Sequence, residues 1–334
     1  MPCILTGRHM KAGKLPESVM KRSVLKQLNK TEVPGGMPAV GKDCAAVPLG
    51  DGQQVALSTQ TRCLGGSMMG ELSVYAALNN LCCSGAEPLG ILVNLLLPTA
   101  CTEHDLRQLM AGINRICAQE QIPVLGGHTE VTRSVTEPVF TVTAAGAVMA
   151  GTIPDDVSPG MDLVMTKWTA LEGTAILALQ RNQELSERFA QPFLDRAQAF
   201  SQYLSIRSEA AVAAKSGVAA MHDVSEGGIF GALWEMGQRF GVGLEIDLKK
   251  IPIRQETIEI CEFFDLNPYK LVSGGSLLMA ARDGNALVHA IEQEGIHAVV
   301  IGRTTDSNDR VLINGEERRF LETTQTDELW KLDK

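Results

Sequence analysis

Aromatic residues and positive charge are both scarce in this sequence of 334 residues. Phe, Trp and Tyr make up 4% of the chain, so the core must be built from Ala, Val, Leu, Ile and Met. Lys and Arg number 30 against 39 Asp and Glu, which gives a net charge of −9 without a long basic run. Because non-specific nucleic-acid binding depends on neutralising phosphates, this balance argues against a nucleic-acid partner.

Long apolar stretches are also missing. The longest uncharged stretch, residues 138–154, is shorter than the roughly 20 apolar residues that a membrane-spanning helix needs. The first residues, MPCILTGRHMKAGK, lack the apolar core of a secretory signal. The sequence therefore predicts a soluble, cytoplasmic protein without a membrane partner.

The eight cysteines include no C-x-x-C pair and no paired Cys/His spacing, which argues against a structural zinc site. Several of them lie in apolar runs, where a free thiol packs like a small hydrophobic side chain. We therefore expect reduced thiols, as is usual in the cytoplasm.

Three well-known site motifs are absent. Residues 36–42 have the spacing G-x-x-x-x-G-K, but Asp43 stands where a P-loop has Ser or Thr for the metal. Gly13-Lys14 fails in the same way, because Leu15 follows the lysine. Neither a G-x-G-x-x-G dinucleotide motif nor a G-x-S-x-G nucleophile elbow occurs.

Short apolar runs alternate with helical patterns along the chain, which predicts two mixed α/β domains. The clearest helix follows Thr102, an N-cap with Asp105 three residues on, and carries an apolar stripe from Leu106 to Cys117.

The domain boundary is predicted at residues 154–160, which hold two Pro, one Gly and two Asp. The expected organisation is an arm, an N-terminal domain and a C-terminal domain, at 1–34, 35–153 and 160–334 respectively.

Three glycine-rich segments, 126–130, 223–228 and 273–276, are predicted to be loops at strand ends. Their backbone N–H groups could contact a phosphate, and the first segment adds the side chains of His128, Thr129 and Glu130. Each segment alone is more typical of an ordinary tight turn. Three such segments in one chain favour a phosphate-binding role.

Six sequence motifs occur in a fixed order along the chain: Gly13–Pro16, Gly41–Val47, Ser84–Pro88, Gly126–Thr132, His222–Gly228 and Leu271–Leu278. In residues and order they resemble the AIR synthase-related (PurM-like) superfamily. Within it, the likeness is greatest to the hydrogenase-maturation proteins of HypE type and their relatives. The resemblance covers nearly the whole chain.

This resemblance implies an α/β N-terminal domain that forms a barrel with its twin in a homodimer, and an α+β C-terminal domain. It also implies that ATP and Mg²⁺ bind between them. The chemistry of the superfamily is ATP-dependent activation of a carbonyl or amide oxygen, or another phosphoryl transfer, on a small molecule.

The resemblance also assigns site residues. Lys14, Asp43, Gln60 and Asn80 would line the Mg²⁺–ATP site, with Asp43 as the metal ligand. Gly126, Gly127 and Thr129 would hold phosphate. His128, Glu130, Asp223 and Glu226 are the candidates for catalysis. Alternatives are a hydrogen-bonded structural role for His128 and helix capping for Asp223 and Glu226.

Several positions depart from the superfamily pattern. Gln60 and Asn80 stand where many members have Asp, and His128 occurs where some have Asp. Amide oxygens bind a hard cation without charge, so we expect weak Mg²⁺ binding. The sequence given also ends at Lys334 without the terminal Cys of HypE proteins, so we expect no carbamoyl transfer to its own tail.

Two hypotheses follow from these patterns. The first is an ATP-dependent enzyme of ligase, lyase or phosphotransferase type, which the retained glycine segments favour. The second is a catalytically degenerate nucleotide-binding protein with a regulatory or scaffold role, which Gln60 and Asn80 favour.

Overall fold

The computed structural model describes residues 13–29, 38–63, 66–149, 152–153, 155–323 and 326–332. Cys3 and half of the predicted arm lie outside these ranges. Within them the chain is a mixed α/β fold with two sheets, as the sequence predicts. In the described ranges, no helix combines the length and apolar character that crossing a bilayer requires.

The first half of the chain builds a five-stranded sheet with two helices on one face. Its elements are α1 (Glu17–Ser23), β1 (Ala45–Gly50), β2 (Gln53–Arg62), α2 (Met69–Cys83), β3 (Glu87–Pro98), α3 (Glu103–Gln119), β4 (Val124–Thr132) and β5 (Val139–Met149). The strand order is β1-β2-β5-β3-β4, and only the β3–β4 pair among these is parallel.

Helix α3 begins where its sequence signals predict. The hydroxyl of Thr102 accepts a hydrogen bond from the Asp105 N–H at 3.2 Å, and the Thr102 N–H donates to Asp105 Oδ2 at 2.8 Å. This capping box satisfies two backbone groups at the helix start. The apolar stripe of α3 then packs on the sheet, with Ile113 and Ile116 buried.

The second half of the chain builds a seven-stranded sheet surrounded by helices. Its elements are β6 (Asp162–Thr166), α4 (Leu171–Gln180), α5 (Asn182–Ser186), α6 (Gln191–Gln198), α7 (Arg207–Lys215), β7 (Ala220–Val224), α8 (Gly228–Phe240), β8 (Gly243–Asp247), α9 (Gln255–Phe263), β9 (Ser276–Ala281), α10 (Gly284–Glu292), β10 (Ala298–Thr305), β11 (Arg310–Asn314) and β12 (Glu317–Phe320). The strand order is β12-β11-β8-β10-β6-β9-β7.

Helix α2 joins the two halves. It is apolar on nearly all sides and buried along most of its length, because it packs against β2 and β5 on one side and against β7 on the other. The Asn79 amide donates to Leu204 O at 2.9 Å and accepts from the Ile206 N–H at 3.2 Å. The edge strand β7 is thereby covered, which places its residues at the junction of the halves.

A buried ion pair also crosses this junction. Arg62, at the end of β2, lies 3.4 Å from the Glu172 carboxylate in α4, and both side chains are buried.

The face of the five-stranded sheet away from α2 and α3 is exposed and partly apolar. On β3, Ile91, Val93 and Leu95 are buried on the helix side, so Leu92 points to the opposite face. Nine of the fourteen exposed large hydrophobic side chains among the described residues lie in strands β1–β5, and Leu125 is 60% exposed. Within the described part of the chain, this sheet therefore has one face that no other element covers.

One predicted loop is wrong and a second is shorter than predicted. Residues 126–130 lie inside β4, and in the segment 223–228 the turn is limited to residues 225–227, between β7 and α8. Gly127 has φ +152°, and a Cβ there would be 1.8 Å from the Val93 carbonyl oxygen of β3. Glycine is needed here because β3 and β4 pair closely at this position. In the sequence, such a glycine looks the same as one that marks a loop.

Candidate functional site

Three segments that are distant in sequence converge on a cavity of about 350 Å³ at the junction of the halves. Asp43 precedes β1, Asn80 lies in α2 and Asp223 lies in β7, and all three line this cavity. We call it the carboxylate cavity. Three of the residues predicted for the nucleotide and catalytic sites are thus brought together.

Asp223 is the most perturbed acid of this cavity. Its side chain is only 3% exposed, and Oδ1 has no hydrogen-bond partner within the described chain. Burial and the nearby charge of Glu172 raise the pKa of Asp223 to about 7, against the opposing effect of His222 and Arg62. A buried, unpartnered carboxyl oxygen at a cavity wall indicates a ligand position.

His222, next to Asp223 in β7, links two carboxylates. Its Nε2 lies 3.0 Å from Glu235 Oε2, and its Nδ1 lies 3.6 Å from Asp43 Oδ2. Glu235 also forms an ion pair with Lys14. The N-terminal segment, α8 and β7 therefore meet in one charged cluster beside the carboxylate cavity.

Charge pairing dominates this cluster. Burial works against the charge of His222, but the hydrogen bond to Glu235 and the charge of Asp43 raise the pKa of His222 overall. Burial also works against the charge of Glu235, yet the Lys14 ammonium and His222 lower the pKa of Glu235 to about 2. Glu235 is consequently a fixed anion that holds both Lys14 and His222.

The donor set of the cavity fits a divalent cation. Asp43, His222 and Glu235 each offer one ligand atom, and these atoms lie within 4.8 Å of one another. Asp223 and Asn80 line the same cavity but are not part of this group. The carboxylate oxygens of Asp43 and Glu235 are ligands of the kind that Mg²⁺ prefers, and bound phosphates would complete its coordination.

A second cavity, of about 330 Å³, is lined by two further residues that were predicted for the site, Lys14 and Glu226. Its wall also contains Arg62, whose guanidinium lies 3.8 Å from Glu226, and Asp327. Because Lys14 reaches Glu235, this second cavity borders on the cluster beside the carboxylate cavity.

The remaining predicted residues are not brought to either cavity. Gly126, Gly127, His128, Thr129 and Glu130 lie on the exposed edge strand β4. His128 Nε2 is 3.3 Å from Glu130 Oε2, and both side chains are more than half exposed. His128 therefore lacks the enclosed environment of a buried structural histidine.

Gln60 lies on β2 in alternation with the buried Ser58 and Arg62, so it points to the helix side of the sheet and is half-buried. Neither described cavity includes it among its lining residues.

The helix-cap alternative for Asp223 and Glu226 is wrong. Helix α8 begins at Gly228, so its N-cap residue is Gly227, which has no side chain that could form a capping bond. Instead, the Gly227 N–H donates to Asp327 Oδ2 at 2.7 Å.

The glycine segment at 273–276 is occupied by protein groups. The Gly274 N–H donates to Glu172 Oε2 at 3.1 Å, and Gly275 O accepts from Lys167 Nζ at 3.0 Å. Its backbone groups are engaged in holding the C-terminal half together.

Sequence reasoning missed His222 and Glu235 as site residues. His222 stands directly before Asp223 and shares its motif. Glu235 is the one charged residue in the first eleven positions of α8, which is otherwise an apolar helix start. A single acidic residue in an apolar stretch is the sequence signal that could have identified Glu235 as a site residue.

The thiols near the site are protonated. Cys44 and Cys83 line the carboxylate cavity, and burial raises the pKa of both. Cys261 in α9 is also buried, and burial raises its pKa to about 12. These thiols are poor nucleophiles because the thiolate is the reactive form.

Replacing Asp223 with Asn is expected to raise the melting temperature of the ligand-free protein, and by more at pH 8 than at pH 5. The pKa of Asp223 rises from 3.8 to about 7 on folding, so the folded chain keeps a proton that the unfolded chain has lost. Wild-type stability contributed by this group is present below pH 4 and falls as the pH rises to about 7. Asn carries no such penalty, and thermal unfolding at both pH values measures the difference.

Asp105→Asn is the control variant. Its change in stability should have the opposite sign, because hydrogen bonds from Thr102 lower the pKa of Asp105. That variant is expected to lose stability at neutral pH rather than gain it. An Asp223→Asn effect of equal size at pH 5 and pH 8 would contradict the raised pKa.

Comparison with known proteins gives consistent matches over both halves. Residues 41–148 match the family model described as AIR synthase related protein, N-terminal domain, and residues 158–314 match its C-terminal domain.

Individual relatives agree with these matches. The chain is 26% identical to a putative hydrogenase expression/formation protein of Methanocaldococcus jannaschii, over 92% of this chain and 93% of the relative. It is 25% identical to the carbamoyl dehydratase HypE of Cupriavidus necator, over 75% of this chain and 72% of the relative. The solved structure of a hydrogenase maturation protein HypE in complex with ATP superposes with a TM-score of 0.71 at 17% identity, covering 93% of this chain and 95% of that one.

Proposed function

This chain belongs to the AIR synthase related protein family, and from that premise we propose that it binds ATP with a divalent cation in the carboxylate cavity. The bound nucleotide would activate a carbonyl or amide oxygen, or transfer a phosphoryl group, on a small-molecule substrate.

One observation carries the proposal: Asp43, Asn80 and Asp223 come from three separate segments and line one cavity, where Asp223 Oδ1 is buried and has no partner among the described residues. Burying an acid in this way costs stability, and a protein retains such a cost where a ligand needs the group. A cation with bound phosphates would satisfy the carboxylates.

The remaining charged groups have defined roles in this proposal. The cation, held by Asp43 and Asp223, would shield the phosphates during transfer. Lys14, at the border of the two cavities, would supply a local positive charge in this acidic chain. The raised pKa of Asp223 near 7 would let this group hold or release a proton at neutral pH.

A catalytically degenerate binding protein is the second candidate. Asn80 is 5% exposed and contributes an amide where a carboxylate would hold the cation more strongly. Under this alternative the chain binds nucleotide without needing the metal and without turnover.

The protein would act as a homodimer joined through the exposed face of the five-stranded sheet. Leu57 and Leu92 lie on that face, and the neighbouring strand β4 adds exposed Leu125. The same face carries His128 and Glu130, so a second copy would cover the predicted catalytic pair of β4. The domain limits at 35–153 and 160–334 and the cytoplasmic location stay predictions.

ATP titration by calorimetry tests the function directly. Wild-type protein is expected to bind ATP with Mg²⁺ and to lose most of the affinity in excess EDTA, because two carboxylates otherwise repel the phosphates. Asn80→Asp is expected to tighten binding with Mg²⁺ by about tenfold and to weaken it without Mg²⁺, since a third anion strengthens the cation site.

Gln60→Asp is the matched control, because Gln60 does not line the carboxylate cavity. It should change the affinity far less than Asn80→Asp, and the double variant should behave like Asn80→Asp alone. Metal-independent ATP binding would favour the degenerate binder, whereas no ATP binding under any condition would refute both candidates.

A further inference from the structure

A third and much smaller cavity, of about 10 Å³, lies inside the junction of the two halves. Arg62 of the N-terminal half lines it, together with Glu172 and Asp223 of the C-terminal half. All three side chains are buried, so the cavity is internal and its wall is polar. Its volume is about what a single buried water molecule needs.

Two atoms of the residues around this cavity lack a hydrogen-bond partner among the described residues. Arg62 Nε carries an N–H and is a donor, whereas Asp223 Oδ1 is an acceptor. Only five buried side-chain N or O atoms in the described ranges are in this state, and these two belong to one cavity. Because an unpartnered buried polar atom costs free energy, this donor and acceptor point to a shared partner.

The direction of the Asp223 side chain agrees with this placement. Consecutive side chains of a strand leave it on opposite faces, so Asp223 leaves β7 away from His222. Burial and Glu172 raise the pKa of Asp223 and Arg62 opposes that rise, so the guanidinium lies near the carboxyl. The two groups nevertheless form no direct ion pair with each other, because Arg62 pairs with Glu172 and Glu226.

We propose that one ordered water molecule occupies this cavity and links the two halves of the protein. The water accepts a hydrogen bond from Arg62 Nε–H and donates to Asp223 Oδ1 and to the Glu172 carboxylate. Glu172 Oε2 also accepts from the Gly274 N–H at 3.1 Å, and a carboxylate has enough lone pairs for both donors. Three hydrogen bonds are the usual number for a buried water.

The chemistry of the wall selects water over an ion. A metal cation would lie beside the Arg62 guanidinium, and an anion would lie beside two carboxylates, so either ion meets a like charge. Water is neutral and both accepts and donates, which matches the two unpartnered atoms. Asp223 also lines the carboxylate cavity, and the water at Oδ1 leaves its second oxygen for the nucleotide function proposed above.

Crystallography at a resolution that shows ordered waters tests this assignment directly. The full-length wild-type chain, crystallised without nucleotide, should show density for one water within hydrogen-bond distance of both Arg62 Nε and Asp223 Oδ1. A cavity without this density, or a direct contact between the two side chains, would overturn the proposal.

Two variants of the same shape test the water in solution. Ala76 lies in α2 and lines this cavity, so a larger side chain there displaces the water. Ala76→Thr supplies a hydroxyl that can replace its hydrogen bonds, whereas Ala76→Val leaves Arg62 Nε and Asp223 Oδ1 without a partner. In urea unfolding, the unfolding equilibrium constant of Ala76→Val should therefore exceed that of Ala76→Thr by roughly tenfold or more.

Ala211→Thr and Ala211→Val are the matched control pair, because Ala211 is an exposed residue of α7. Their unfolding constants should differ from each other by no more than about threefold. Equal stability of the two Ala76 variants would contradict the water, and the crystal structure decides if both fold poorly. Since neither measurement contains nucleotide, the water and the proposed ATP binding can fail independently.

Discussion

Replacing Leu92 with Glu is expected to convert the proposed homodimer into a monomer of 35.9 kDa. Leu92 lies in the middle of β3, on the sheet face that none of the described helices covers. In a symmetric pair each copy contributes this residue, so the interface would bury two carboxylates that have no partner. A buried, unpaired charge costs several kcal/mol, which corresponds to a loss of affinity of roughly a thousandfold or more.

Light scattering after size-exclusion chromatography measures this change. Ile258→Glu is the matched control, because Ile258 is an exposed aliphatic residue on α9, in the other half of the chain. That variant should remain a dimer. A wild-type mass of one chain, or an unchanged dimer for Leu92→Glu, would refute the proposed interface.

Replacing Gly127 with Ala is expected to lower the free energy of unfolding by about 3 kcal/mol or more. The added Cβ would lie 1.8 Å from Val93 O and 2.9 Å from Val93 N, so the clash is with backbone. The chain can relieve this clash only by separating β4 from β3. Urea unfolding measures the stability loss, and amide exchange across residues 124–132 reports the opening of β4.

Gly126→Ala is the neighbouring control. A Cβ at Gly126 would meet only Leu92 Cδ2, at 3.7 Å, which is an ordinary contact. This variant should keep wild-type stability to within about 1 kcal/mol. If Gly127→Ala were instead fully stable and lost only nucleotide affinity, the phosphate-binding interpretation of this glycine would be correct and the strand-pairing interpretation wrong.

Local signals and motif order made much of the fold predictable. Thr102 and Asp105 specify the start of α3 within one turn, and the structure confirms this capping box. The family and the two-domain α/β fold are confirmed by the matches to both halves of the chain. Gly127 was misread because its need for glycine comes from β3, about thirty residues away in sequence, and no local pattern reports such a contact.

The site was predictable only in part, for a related reason. Asp43, Asn80 and Asp223 follow from motifs, and the cavity brings them together. Lys14 was also assigned through its motif, whereas the role of Glu235 depends on which segments meet at the junction, since Glu is an ordinary surface type of residue in isolation. The assignment of His128 and Glu130 depends on a second copy, which a single chain does not contain.

The ion pair between Arg62 and Glu172 has a consequence for how the protein melts. If the two halves separated, this pair would be lost together with the Asn79 hydrogen bonds to Leu204 and Ile206 and the packing of α2 against β7. The two halves share α2 as a common packing element, so we expect heat to unfold both in a single transition.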